Sequence, residues 1–195
     1  TANLTYSGAV ALQAVYLPAV LNGWAPIQVL WSQGVSSANT EAYANQDFET
    51  SFDSYDIYLS DDFLISGDGW DIWQIHVPGG LWNGGTTLAN ATSLNFQIFI
   101  DNNGKPAGYP GGASALVWSL SIAPSDSRIL LSNGVGGLPS NVTLKLSSPV
   151  RLAAERYWFV FYPTMEYSLY GQYGRQVSDT VNGYDAMVIN PGGGF

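Results

Sequence analysis

Eight of the fifteen acidic residues fall within one stretch, DFETSFDSYDIYLSDDFLISGDGWD (47–71). Clustered carboxylates are what a hard cation such as Ca²⁺ takes as ligands, and Asp47, Asp53, Asp61 and Asp62 form the candidate set. Two features argue against it. The spacing matches no EF-hand loop, and Asp61 and Asp62, as neighbours on a strand, point to opposite faces. The turn DNNG (101–104) has the first half of a calcium loop but no closing Glu. With one His, His76, and no Cys, the usual nitrogen and sulfur sites for zinc or copper cannot be assembled. No cofactor is expected, and Ca²⁺ is the ion left open.

Enzymatic chemistry finds little support. Glycoside hydrolysis needs two carboxyls facing each other across roughly 5–9.5 Å, and Glu41, Glu49, Glu155 and Glu166 are scattered with no E-x-D-x-E run. A Ser-His-Asp triad could use only His76, which alternation in WDIWQIHV places on a strand face with Ile72 and Gln74. A strand His satisfied by a neighbour is the plainer reading. Sugar binding is the more credible chemistry, because Tyr faces stack on pyranose rings. YSLYGQYG (167–174) supplies Tyr167, Tyr170 and Tyr173, although core packing explains the same residues equally well. N-x-[ST] sequons stand at Asn3, Asn90 and Asn141, about the number chance gives in such a composition.

The elements that would hold these residues are strands. Short apolar runs separated by Gly, Asn, Pro and Asp recur from Ile27 to Ile189, and none keeps a helical period for three turns. The runs are IQVLW (27–31), YDIYLSDDFLI (55–65), WDIWQIHV (70–77), LNFQIFI (94–100), ALVWSLSI (115–122), RILLS (128–132), NVTLKLSS (141–148) and RYWFVFYP (156–163). They predict an all-β fold, an antiparallel β-sandwich of jelly-roll type, with an apolar N-terminal extension. Residues 1–26 are that extension, 27–195 the single sandwich domain, and 32–46 a loop within it. DNNGKPAG (101–108) predicts a chain reversal. Large groups at both parities of RYWFVFYP predict a central strand covered on both faces.

The net charge of −9 repels phosphate backbones and anionic lipid, so nucleic acid is not an expected partner. Six Lys and Arg against 22 Gly, seven Trp, twelve Tyr and eight Phe describe a surface made polar by hydroxyls and amides, as suits a secreted protein.

Four stretches resemble a family of poorly characterised β-sandwich modules of large secreted and surface proteins of bacteria: QDFETSFDSYDIYLSDDFLI (46–65), FQIFIDNNGKPAG (96–108), ERYWFVFYPTMEYSLYGQYG (155–174) and INPGGGF (189–195). They occur in the family's order over most of residues 46–195. YLPAVLNGW (16–24) likewise resembles segments of such surface proteins. The resemblance implies secretion and a non-enzymatic accessory or structural role, and it carries over no catalytic residue. Members often continue past the GGGF stretch into a short Cys-containing tail, and this sequence has no Cys.

The N-terminal tract AVALQAVYLPAVLNGW (9–24) poses the functional question. No Lys or Arg precedes it, so it does not read as a secretory leader, and the chain reads as extracellular or cell-surface after signal removal. Gln13 and Pro18 interrupt it, so it does not read as a membrane span. Leu4, Val10, Leu12, Val15, Leu17, Val20 and Leu21 must be covered, since burial of each such side chain is worth roughly 1.5–3 kcal/mol. The cover is either the chain's own sandwich or a neighbouring subunit that receives the tract as an added strand. Ala9 to Leu17 would extend about 30 Å, with Pro18 marking the strand's end. The expected function is a secreted structural protein whose residues 4–22 pair with another copy and build a filament. A carbohydrate- or surface-binding module is the alternative, and a glycoside hydrolase ranks below both.

Overall fold

The structure is a computed structural model. It describes residues 2–5 and 14–17 as backbone, and residues 28–35, 38, 40–112 and 115–195 in full. In LNFQIFI, alternation buries Leu94, Phe96 and Ile98 on one face and turns Asn95 and Gln97 to the other. The same two-residue period organises the rest of the chain. In order, the strands are β1 (Ala2–Thr5), β2 (Ala14–Leu17), β3 (Gln28–Trp31), β4 (Ala42–Ala44), β5 (Tyr58–Leu64), β6 (Trp70–Val77) and β7 (Gly79–Trp82). There follow β8 (Ser93–Ile100), β9 (Leu116–Ile122), β10 (Ile129–Asn133), β11 (Pro139–Leu152), β12 (Arg156–Thr164), β13 (Gln172–Gln176) and β14 (Met187–Asn190). A one-turn helix, α1 (Tyr167–Tyr170), and 3₁₀ turns at Thr50–Tyr55 and Leu88–Asn90 complete the elements.

The strands form a six-stranded sheet ordered β1-β14-β5-β12-β8-β9, a five-stranded sheet ordered β10-β11-β6-β2-β3 and a three-stranded sheet β4-β13-β7. Every ladder between named strands is antiparallel. The fold is therefore an all-β sandwich. Its main core lies between the two larger sheets, where Phe96, Phe159 and Phe161 meet Ile72, Ile75, Val142 and Leu144. β12 lies centrally, between β5 and β8, and is covered on both faces. Tyr157, Phe159 and Phe161 enter the main core, while Trp158 and Val160 join a second cluster with Tyr58, Phe99 and Ile189.

Several elements differ from the sequence expectation. The expected loop 32–46 contains β4, and β7, β13 and β14 were not among the runs. β11 runs to Leu152, past the expected end at 148, by means of a bulge. Lys145 pairs with Gln74 and Val150 with Ile72, so the four residues 146–149 of β11 face the single Trp73 of β6. Pro149 falls inside the bulge, where its missing N–H breaks no ladder bond. The expected reversal at 101–108 is present. The Asp101 carboxylate accepts from Gly104 N at 3.2 Å, and Asn103 and Gly104 take φ of 55° and 81°.

Candidate functional site

The N-terminal strands lie in both large sheets. β1 pairs with β14 at the edge of the six-stranded sheet, Leu4 facing Val188 in the register and Asn3 facing Ile189. β2 sits inside the five-stranded sheet, with Val15 opposite Ile75 of β6 on one side and opposite Trp31 of β3 on the other. Among the described residues it covers Ala14–Leu17, and residues 9–13 and Pro18 of the expected strand and its end lie outside them. Within this single chain, then, two pieces of the N-terminal extension pair with the chain's own strands. Val10, Leu12, Val20 and Leu21 lie outside the described residues.

The far wall of that slot is fixed to the body of the domain. β3 is followed by Gln33, which is fully buried, and its amide makes a reciprocal pair with Asn182, donating to Asn182 O at 3.0 Å and accepting from Asn182 N at 3.1 Å. Ser178 Oγ and Asp179 N both bond Gly34 O. The chain is thus pinned just after β3. β6 forms the near wall and is held on its other side by β11.

The candidate cation ligands are not brought together. Asp61 points into the interior, where its charge faces the buried Arg175. Burial lowers the guanidinium to about 10, and the Asp61 charge opposes that shift. Arg175 also donates to Leu59 O at 2.9 Å and lies 5.6 Å above the Phe159 ring. Asp62 points to the opposite face. There it accepts from Arg156 and from Tyr184 N, and the Arg156 guanidinium lies 4.6 Å above the Tyr184 ring. Asp53 is exposed on the 3₁₀ turn. Asp47 accepts from Thr164 Oγ1 at 2.7 Å and from Tyr58 OH at 3.4 Å. Among the described residues, no three His, Cys, Asp or Glu side chains stand together in a way that could hold a metal ion. Asp101 of the DNNG turn is engaged by Gly104 N and by Trp158 Nε1 at 2.7 Å.

Asp56, in the same acidic stretch but outside the candidate set, is a carboxyl whose titration the fold clearly alters. Its pKa is raised to about 6, chiefly by burial and further by the charges of Asp47 and Asp53, against a 2.8 Å hydrogen bond from Phe48 N. Tyr162, close to the same acids, is pushed up to about 12, again chiefly by burial.

The three candidate sugar-binding tyrosines separate as well. Tyr173 is fully buried in the main core, edge-on to Phe161 at 5.7 Å. Tyr167 and Tyr170 lie on α1, each more than a third exposed. Tyr167 instead joins residues that the sequence analysis did not single out. With Phe48, Phe52, Tyr55, Gln172 and Phe195 it lines an open groove of about 280 Å³. The rings meet edge to face, Phe52 against Tyr167 at 5.7 Å and Tyr55 against Phe195 at 5.6 Å. Glu49 fixes α1 against the groove by accepting from Tyr167 N and Ser168 N at 2.6 and 3.1 Å. Asn190 holds the opposite rim, donating to Ser54 O and Asp56 O and accepting from Phe195 N.

His76 is satisfied within the sheet. It lies opposite Thr143, whose Oγ1 is 2.8 Å from Nδ1, and burial holds the imidazole below its ordinary pKa. Of the sequon residues, Asn141 is tied by Gly79 N and Asn133 O, and Asn90 closes a 3₁₀ turn in a half-buried position.

Fold and site together define an all-β sandwich whose N-terminal strands complete two sheets. Compared with known proteins, the chain matches no family model, no curated protein and no solved structure.

Proposed function

We propose that the chain is a secreted, non-enzymatic structural subunit that polymerises by passing its N-terminal strands to a neighbouring copy. The observation that supports this most is the place of β2, an interior strand supplied by the apolar tract between two walls anchored elsewhere in the domain. An identical segment from another copy presents the same backbone groups and side chains to that slot, so exchange conserves the contacts and changes only which chain supplies them. β1 would travel with β2, and residues 18–27, with Pro18, Gly23 and Pro26, form the connection over which the exchange runs. The contact is heterologous and builds a filament unless its rotation closes a ring.

The test is deletion of residues 4–22 with electron microscopy of both chains. The reading expects filaments from the full chain and a folded, monomeric domain from the deletion. Filaments from the deletion would refute strand donation, and a deletion that unfolds would favour a permanently self-contained strand.

A second reading, binding of carbohydrate, is favoured by one observation, the aromatic groove with its Gln172 amide. A glycan array probed with the full chain, beside Tyr55→Ala and Tyr167→Ala, checks it. Sugar-dependent binding lost in both variants supports the reading, and no signal from the full chain removes it.

A further inference from the structure

The flank opposite the N-terminal strands carries an inference of its own, independent of strand exchange. β9 ends the six-stranded sheet and pairs only with β8, while β10 ends the five-stranded sheet and pairs only with β11, among the described residues. Residues 123–128 join the two, so both unpaired edges lie along one side of the sandwich. Leu116, Val117 and Leu130 are 48, 42 and 56% exposed there. Behind them Trp118, Leu120, Ile129 and Leu131 pack on the core but remain only partly buried. Proteins ordinarily blunt an edge strand with a charge, a proline, a bulge or a covering loop. β9 carries a bulge at Val117, since Ile98 pairs with Trp118 and Phe99 with Leu116, and runs in regular register from Trp118 to Ile122. LVWSLSI and ILLSN contain no charge and no Pro, and the nearby Asp126 and Arg128 neutralise each other through two 3.0 Å contacts.

We propose that β9 is a second interface, at which two copies of this chain pair edge to edge through β9, antiparallel and two-fold, joining their six-stranded sheets. An exposed strand edge is matched by another extended strand, which satisfies its outward N–H and C=O groups. The partner is a second copy for two reasons. Copies carrying a net charge of −9 repel each other, and this flank, net neutral with Asp126 paired to Arg128, is where they approach at least cost. A register centred on Ser119 also sets Trp118 opposite Leu120, in the regular part of β9 beyond the bulge. It opposes no like charges and covers the half-buried ring with an aliphatic neighbour. If strand exchange also operates, this pairing joins filaments side by side.

Sedimentation velocity across a concentration series tests the pairing in four full-length chains: wild type, Val117→Lys/Ser119→Lys, Val15→Pro, and the combination. Both lysines replace exposed residues of an edge strand, so the fold is expected to persist. Val15→Pro blocks β2 and isolates the second interface; a chain at twice the monomer mass that falls to monomer when the lysines are added supports the pairing. A Val15→Pro chain that stays folded and monomeric throughout overturns it, as does association unaltered by the lysines. Loss of strand exchange alone appears separately, as association indifferent to Val15→Pro. Should Val15→Pro unfold the chain, amide exchange at 116–122 in the wild type decides. Slower exchange at high concentration supports the pairing, and concentration-independent exchange overturns it.

Discussion

Asp61 and Arg175 show how local environment fixes the role of a residue. Both are fully buried, and the carboxylate is the charge that opposes the guanidinium's desolvation. Removing one member of such a pair leaves an uncompensated charge in the interior. Asp61→Ala is therefore expected to lower unfolding free energy by about 3–5 kcal/mol, measured by denaturant titration near neutral pH, whereas Asp61→Leu with Arg175→Met recovers most of it. A loss below about 1 kcal/mol would contradict the assigned pairing. Asp56 gives a pH signature of the opposite kind. Its pKa rises from an ordinary 3.8 to about 6 in the fold, so the folded state binds the proton more tightly than the unfolded chain. The stability it contributes is present below pH 3.8 and is lost as pH rises through about 6. Asp56→Asn keeps the oxygen that accepts from Phe48 N and should be more stable than wild type above that pH. The gap should close on acidification toward about pH 4. Melting curves of the two proteins that run parallel over this range would contradict the assignment. Sequence spacing exposed the opposite facing of Asp61 and Asp62, because strand alternation is local. It could not show which far residue each would meet, since Arg156 and Arg175 lie roughly a hundred positions away in the chain.

At the level of elements, the periodic strands were legible and the glycine-rich ones were not. β7 begins Gly79-Gly80, and β13 contains Gly174; in sequence such residues read as turns. In the structure they are where large rings lie. A Cβ on Gly79 would run into the Tyr173 hydroxyl and ring, and one on Gly174 into the Trp82 ring. The two strands thus pair through reciprocal aromatic-over-glycine contacts, in a register that sets Gly80 opposite Gly174. Gly79→Ala is expected to cost about 1–3 kcal/mol by overpacking, read as a lowered melting temperature. No change in melting would show that Tyr173 moves aside freely. The groove escaped sequence reading for a related reason, since Phe48, Tyr167 and Phe195 come together only through Glu49, α1 and the Asn190 clasp.

For the whole molecule, the two flanks of the sandwich are unequal. One side is completed by strands from the N-terminal extension, and the other ends in the uncharged edges β9 and β10. The tract's hydrophobicity was visible in the sequence. The chain that supplies β2 to a given slot is not determined by pattern, because an own strand and a donated one offer identical residues to it. Cross-linking across the slot separates the two. The protein has no Cys, and Tyr16 lies opposite Gln74 in the β2–β6 register, so Tyr16→Cys with Gln74→Cys sets two thiols facing each other across the slot, with each single variant as the control for like-to-like bridges. Oxidised under conditions that give filaments and run on a denaturing, non-reducing gel, this variant is predicted to yield a ladder of covalent multimers that collapses on reduction. A single internally closed monomer band from the same filaments would contradict strand exchange.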